Sequence, residues 1–128
     1  MTEGEKEKME LVVIRPDEHD EFMTEEHCHI LEVWNRDVDP DVSISRARVE
    51  PGMKTQKHSL SVDEKYLITS GSGNMYVGGG GPDLVTVGDL IVIPAGQTQW
   101  IENTDSEDLV FYCICTPRFI PASYKANE

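Results

Sequence analysis

Short apolar segments separated by turn residues run through most of the chain. They lie at residues 42–50, 65–69, 74–77, 84–87, 90–93, 99–102 and 109–114, with Gly, Pro, Asn or Asp in every gap. Many short strands at regular spacing are typical of a sandwich or a barrel, and no segment shows a helical period. The sequence therefore predicts an all-β domain.

The N-terminal part of the chain is less regular. Residues 1–9 form a charged segment with little to bury, which we expect to be a flexible leader. Residues 10–15 (ELVVIR) and 27–35 (HCHILEVWN) predict two further strands. The acidic residues 17–26 between them are either a loop or one helical turn.

The length of 128 residues indicates one domain. We expect it to span residues 10–120, with residues 121–128 as a C-terminal tail. The formal net charge of −13 argues against nucleic acid and anionic membranes as partners, since both need a basic surface. With no apolar stretch of 18 residues and no signal-peptide pattern, the sequence predicts a cytoplasmic protein.

Three cysteines are present, and Cys113 and Cys115 alternate within the run LVFYCIC. A disulfide within one strand has poor geometry, so reduced thiols that fill the core are expected. The run is apolar on both faces, which indicates a strand covered on two sides. Its outer face is covered by a second subunit or by the N-terminal strand, or else the run is a core strand that faces the other sheet of a sandwich. The two-sided apolar run and the N-terminal strand favour a homodimer.

Two segments combine turn residues with polar side chains at regular spacing. Residues 52–71 contain His58 and Glu64, and residues 88–103 contain Gln99. These segments resemble the two motifs of the cupin superfamily, G-x5-H-x-H-x3-E-x6-G and G-x5-P-x-G-x2-H-x3-N. The resemblance covers about residues 42–117 and implies a small, single-domain, cupin-type double-stranded β-helix (a jelly-roll barrel).

The motifs are matched at Gly52, His58, Glu64, Gly71, Gly88, Pro94, Gly96 and Asn103. Two positions that usually hold histidine differ, because Leu60 and Gln99 occupy them. The resemblance therefore implies His58 and Glu64 as metal ligands, with Gln99 as an amide-oxygen ligand. The implied cofactor is a divalent transition metal (Mn, Fe, Zn or Ni), held less tightly than by a set of imidazoles.

Side chains two residues apart on a strand share a face. If Glu64 and Gln99 point into the barrel, then Tyr66 and Ile101 line the same cavity. Glu64 and Tyr66 are then candidates for moving protons, and Ile101 for contacting a ligand.

Arg46 and Arg48 also share a face of one predicted strand. On an inner face they would bind a carboxylate or phosphate ligand, and on an outer face they would pair with the acidic exterior. Residues 25–27 are expected to be a solvated loop.

Three functions fit these patterns. The first is a metal-dependent isomerase, lyase or dioxygenase acting on a small polar metabolite. The second is non-catalytic binding of a small molecule, a sugar or an organic acid. The third is a structural cupin whose pocket is vestigial, of which Leu60 would be the sign.

Overall fold

The computed structural model describes residues 11–128, so the leader expected at residues 1–9 lies outside the described residues. The strands of this part are β1 (Phe22–Met23), β2 (His29–Trp34), β3 (Ser43–Val49), β4 (His58–Leu60), β5 (Asp63–Ser70), β6 (Ser72–Val77), β7 (Gly80–Thr86), β8 (Leu90–Ile93), β9 (Gln99–Glu102), β10 (Leu109–Thr116) and β11 (Tyr124–Ala126). Two short 3-10 helices lie at Glu18–Asp20 and Pro121–Ser123.

These strands form two antiparallel sheets. One has the order β1-β2-β3-β10-β5-β8 and the other the order β11-β4-β9-β6-β7. From β3 to β6, and again from β7 to β10, the chain passes from one sheet to the other at each connection. This is the arrangement of a double-stranded β-helix, so the predicted all-β jelly-roll fold is confirmed.

Alternating burial along the strands places one face of each sheet in the interior. On β10 the buried residues are Leu109, Phe111, Cys113 and Cys115, and the residues between them are partly exposed. On β5 the buried residues are Glu64, Tyr66 and Ile68. Because the period is two, the polar Glu64 lies on the same interior face as the apolar core.

Tight turns join the strands and hold the two motifs together. Gly71 has φ of 77°, and a Cβ at this position would lie 2.5 Å from the carbonyl oxygen of Asp108. Only glycine fits a site with both restrictions. Asn103 closes the second motif, since its amide nitrogen donates to the carbonyl oxygens of Val49 and Glu107 at 2.9 and 2.7 Å.

The two ends of the chain differ from expectation. Residues 11–15 form no strand, and the side chains of residues 11–14 are exposed. The strand that pairs with the outer edge of β2 is β1. The expected C-terminal tail contributes a strand, because β11 pairs with β4. Among the described residues, no helix is long and apolar enough to cross a membrane.

Candidate functional site

A cavity of about 200 Å³ lies inside the barrel, between the two sheets. Its wall is largely aromatic and aliphatic, with Phe22, Ile30, Leu60, Phe111 and Phe119 among the lining residues. Polar groups enter the same cavity from β4, β5 and the loop before β2. A small apolar pocket with a few convergent polar groups is the usual form of a ligand site.

His58 is the buried imidazole of this cavity, with 3% of its surface exposed. Its Nδ1 lies 2.6 Å from the carbonyl oxygen of Gln56, which only accepts, so Nδ1 carries the proton and donates. In the neutral imidazole this leaves Nε2 as a proton acceptor, 3.9 Å from Glu26 Oε2. The ring of Tyr124 stacks on the imidazole, with centroids 5.0 Å apart. The backbone thus fixes both the tautomer and the orientation of His58.

Glu64 is held by a buried relay of hydrogen bonds. Gln99 Nε2 donates to Glu64 Oε1 at 2.8 Å, and the hydroxyl of Tyr66 donates to Gln99 Oε1 at 2.6 Å. Burial raises the pKa of Glu64 to about 7; the hydrogen bond from Gln99 opposes this shift, and the negative charge of Glu26 adds to it. Glu64 can therefore both hold and release a proton near neutral pH.

Two of the three cysteines that line the cavity lie on β10, and neither thiol is activated. Cys113 and Cys115 both point inward and line the cavity, and Cys115 Sγ lies 3.7 Å from Glu64 Oε2. Burial raises the pKa of Cys113 well above its usual value and that of Cys115 to about 12. Both remain neutral thiols, which are poor nucleophiles.

One of the three implied metal ligands, Gln99, does not offer its amide oxygen to a metal. The amide oxygen of Gln99 is occupied by the Tyr66 hydroxyl, and its amide nitrogen is directed at Glu64. Leu60 lines the cavity with a side chain that cannot coordinate. Among residues 11–128, no group of three His, Cys, Asp or Glu side chains is placed to hold a metal ion. The donors present therefore do not fit a cupin-type metal centre.

The remaining predicted site residues lie elsewhere. Arg46 binds Glu18 through both terminal nitrogens at 2.7 and 2.6 Å, and Arg48 binds Glu21 at 2.6 Å, so both arginines face the acidic exterior. The inner-face alternative for them is wrong, because alternation puts the small residues of β3 inside. Ile101 is fully buried in the core and does not line the cavity.

Glu26, Gln56 and Tyr124 belong to the site but lie outside the expected set. Glu26 was expected in a solvated loop but lines the cavity. The backbone N–H of Gln56 donates to the carbonyl oxygen of Glu26 at 2.9 Å and holds it there. The hydroxyl of Tyr124 donates to the side-chain oxygen of Gln56 at 2.6 Å. Gln56 thus holds the loop of Glu26, the imidazole of His58 and the C-terminal strand. No motif or periodicity indicates these contacts, since they join three distant segments.

Comparison with known proteins identifies the family. Residues 45–115, more than half of the chain, match the sequence profile of the cupin domain. The chain therefore belongs to the cupin family, as its two motifs indicate. No match was found among curated protein sequences.

Solved structures agree with this fold. A predicted oxalate decarboxylase from Thermotoga maritima matches with a TM-score of 0.74 and 20% identity, over 83% of this chain and 99% of that one. KdgF from Halomonas sp. matches at 0.73 and 18%, over 84% and 96%. A Cupin 2 conserved barrel domain protein from Salinispora arenicola matches at 0.73 and 17%, over 89% and 93%. At these identities the likeness establishes the fold alone.

Proposed function

We propose that this cupin is a small-molecule enzyme of the isomerase or lyase type that works by acid–base chemistry in its barrel cavity. The observation that carries the proposal is His58, whose tautomer is fixed with Nε2 as the acceptor. Glu64 lines the same cavity with a pKa of about 7, which suits a group that returns a proton. Isomerisation and elimination both need one group to take a proton and another to supply one.

The metal-dependent reactions that the resemblance implies have less support from the residues of this cavity. Within the cupin family a metal is common, and Mn, Fe, Zn or Ni was the expectation for this chain. Leu60 and the orientation of Gln99 leave too few donors for a tightly held ion. We therefore build the proposal on His58 and Glu64 as proton carriers and route no step through a metal.

Non-catalytic binding of a small molecule is the second candidate. The apolar wall formed by Phe22, Ile30, Phe111 and Phe119 favours it, since such a wall gives affinity without chemistry. A vestigial pocket is disfavoured, because burying His58 and Glu64 costs free energy that a purely structural barrel would not need to spend.

Deuterium exchange distinguishes the first two candidates. Ligands found by thermal shift from a metabolite collection are incubated with the protein in D2O, and NMR detects deuterium at carbon. We expect incorporation by the wild type, and bound ligand without incorporation in His58→Gln. His29→Gln is the control, since His29 lies on the outside beside Glu50 at 3.3 Å. A ligand that the wild type binds and returns without deuterium would support pure binding instead.

We further propose that two copies of the chain associate. The outer face of β5 and β8 carries Leu67, Leu90 and Val92, which are 38%, 54% and 59% exposed. Leu67 lies opposite Leu90 on one side and opposite Tyr112 on the other, so these side chains form one apolar patch. Residues 11–14 are a second exposed apolar segment of the same chain. A homodimer would cover both.

The three cysteines are free and buried, which supports a reducing compartment such as the cytoplasm as the place where the protein works.

A further inference from the structure

The charges on the cavity wall have one sign. Three glutamates line it, namely the buried Glu64, the partly buried Glu26 and the exposed Glu32, whereas no lysine or arginine of residues 11–128 does. An anionic ligand would therefore enter a negative cavity without a cation to pair with, which is costly in a site of low dielectric.

The arginines near the site are bound to other groups. Arg46 and Arg48 are paired with Glu18 and Glu21 on the outer face. Arg118 reaches the rim through Nε, which donates to the side-chain oxygen of Asn35 at 2.8 Å, but Arg118 itself does not line the cavity. None of them balances the charge of the glutamates inside.

A buried acceptor also points into this cavity. His58 is 3% exposed, and its Nε2 makes no hydrogen bond to the described residues, with Glu26 Oε2 at 3.9 Å. A proton donor on a ligand would satisfy Nε2 and contact Glu26 at the same time. An ammonium group, with three N–H donors and a positive charge, fits both.

The aromatic rings of the cavity also favour a cationic ligand with an apolar body. The rings of Phe22, Phe111, Phe119 and Tyr124 line the cavity beside the glutamates. Aromatic faces attract cations and also bury apolar surface. The volume of about 200 Å³ is below the roughly 300 to 1,000 Å³ typical of drug-sized ligands, so the ligand is small.

We propose that the cavity selects a small primary amine with an apolar body, held by the carboxylates of Glu26 and Glu32 and by His58, and that it rejects carboxylate ligands. The inference rests on the proposed small-molecule site but does not depend on catalysis there. It replaces the organic-acid alternative with a cationic class of ligand.

Three probes of nearly equal size test this selectivity. 2-Phenylethylamine, 2-phenylethanol and phenylacetate share one ring and differ in charge, and their affinities are measured by calorimetry on chelator-treated protein at low salt. We expect the amine to bind about tenfold more tightly than the alcohol, a difference of about 1.4 kcal/mol, and the acid to bind most weakly. Added salt should reduce the advantage of the amine.

Variants that remove the negative charges test whether the glutamates of the cavity cause the preference for the amine. The double variant Glu26→Gln with Glu32→Gln should bring the amine and the alcohol within about twofold of each other, on the same affinity scale. Glu25→Gln is the control, because Glu25 is exposed and does not line the cavity.

Several outcomes would overturn the inference. These are phenylacetate binding as tightly as the amine, an amine preference that survives in the double variant, or no binding of any probe at millimolar concentration. Deuterium exchange by the wild type separates selectivity from catalysis. A wild type that prefers the amine but exchanges deuterium into no ligand would sink the acid–base proposal and leave the selectivity standing.

Discussion

The hydroxyl of Tyr66 donates to the amide oxygen of Gln99 at 2.6 Å, and this bond decides which end of the amide meets Glu64. With the oxygen engaged, Gln99 presents its N–H to the carboxylate at 2.8 Å. A residue at a family ligand position has thereby become a positioning residue for Glu64.

Removing the Tyr66 hydroxyl tests this arrangement. In Tyr66→Phe the ring still packs on Phe111, with centroids 4.4 Å apart in the wild type, but the buried oxygen of Gln99 loses its donor. We expect a loss of about 1 to 3 kcal/mol in the free energy of unfolding, measured by urea denaturation. Tyr112→Phe on the outer face is the control, since the Tyr112 hydroxyl makes no hydrogen bond to the described residues. Equal losses in the two variants would contradict the role given to Tyr66.

Metal content is the second prediction. The wild type, purified without a histidine tag or chelator, should carry much less than one divalent ion per chain by elemental analysis. Replacing Leu60 and Gln99 by His rebuilds the family set around His58 and Glu64, and this double variant should bind one divalent ion per chain. Full occupancy in the wild type, lost in His58→Ala, would restore the metal expectation.

Gln99 also illustrates how far the sequence reaches. The resemblance gave Gln99 as a residue of an inner site, and in the structure Gln99 is fully buried and lies opposite His58 in the register. The direction of the amide could not be predicted, because it is set by a hydroxyl on β5, a strand of the other sheet. Spacing along one strand carries no information about such a contact.

The surroundings of His58 show the same limit. Glu26 lies in a turn in which the backbone N–H of Thr24 donates to the carbonyl oxygen of Cys28 at 3.0 Å. Tyr124 lies on β11, the last strand, which pairs with β4. For Arg46, the alternation in the sequence left both faces of the strand open, and the carboxylates of Glu18 and Glu21 assign it to the outside. Each of these facts depends on distant packing.

Association is the third prediction. Val92→Asp puts a charge into the outer patch, where Val92 is 59% exposed, so the fold should be kept while the dimer is weakened. Light scattering at micromolar concentration should give a dimer for the wild type and a monomer for the variant. Val38→Asp is the control, because Val38 is 79% exposed in a loop outside the patch. A monomeric wild type would contradict the proposed dimer.

The pH dependence of stability is the fourth prediction, and it follows from Glu64. Its pKa is raised from 4.5 to about 7 in the folded protein, so the folded state binds this proton more tightly than the unfolded state does. The contribution to stability is complete below about pH 4.5 and is lost as the pH rises to about 7, by on the order of 3 kcal/mol.

Glu64→Gln isolates that contribution, because glutamine resembles the protonated acid in shape and cannot ionise. Free energies of unfolding are measured for both proteins between pH 4.5 and 7.5. We expect the wild type to lose stability relative to the variant across this range, whereas Glu25→Gln, an exposed control, should run parallel to the wild type. Groups that both proteins share, such as Glu21 beside Arg48, cancel in the comparison. If the wild type and Glu64→Gln ran parallel instead, Glu64 would ionise as readily in the fold as in the unfolded chain, and it would lose its place as the proton carrier of the site.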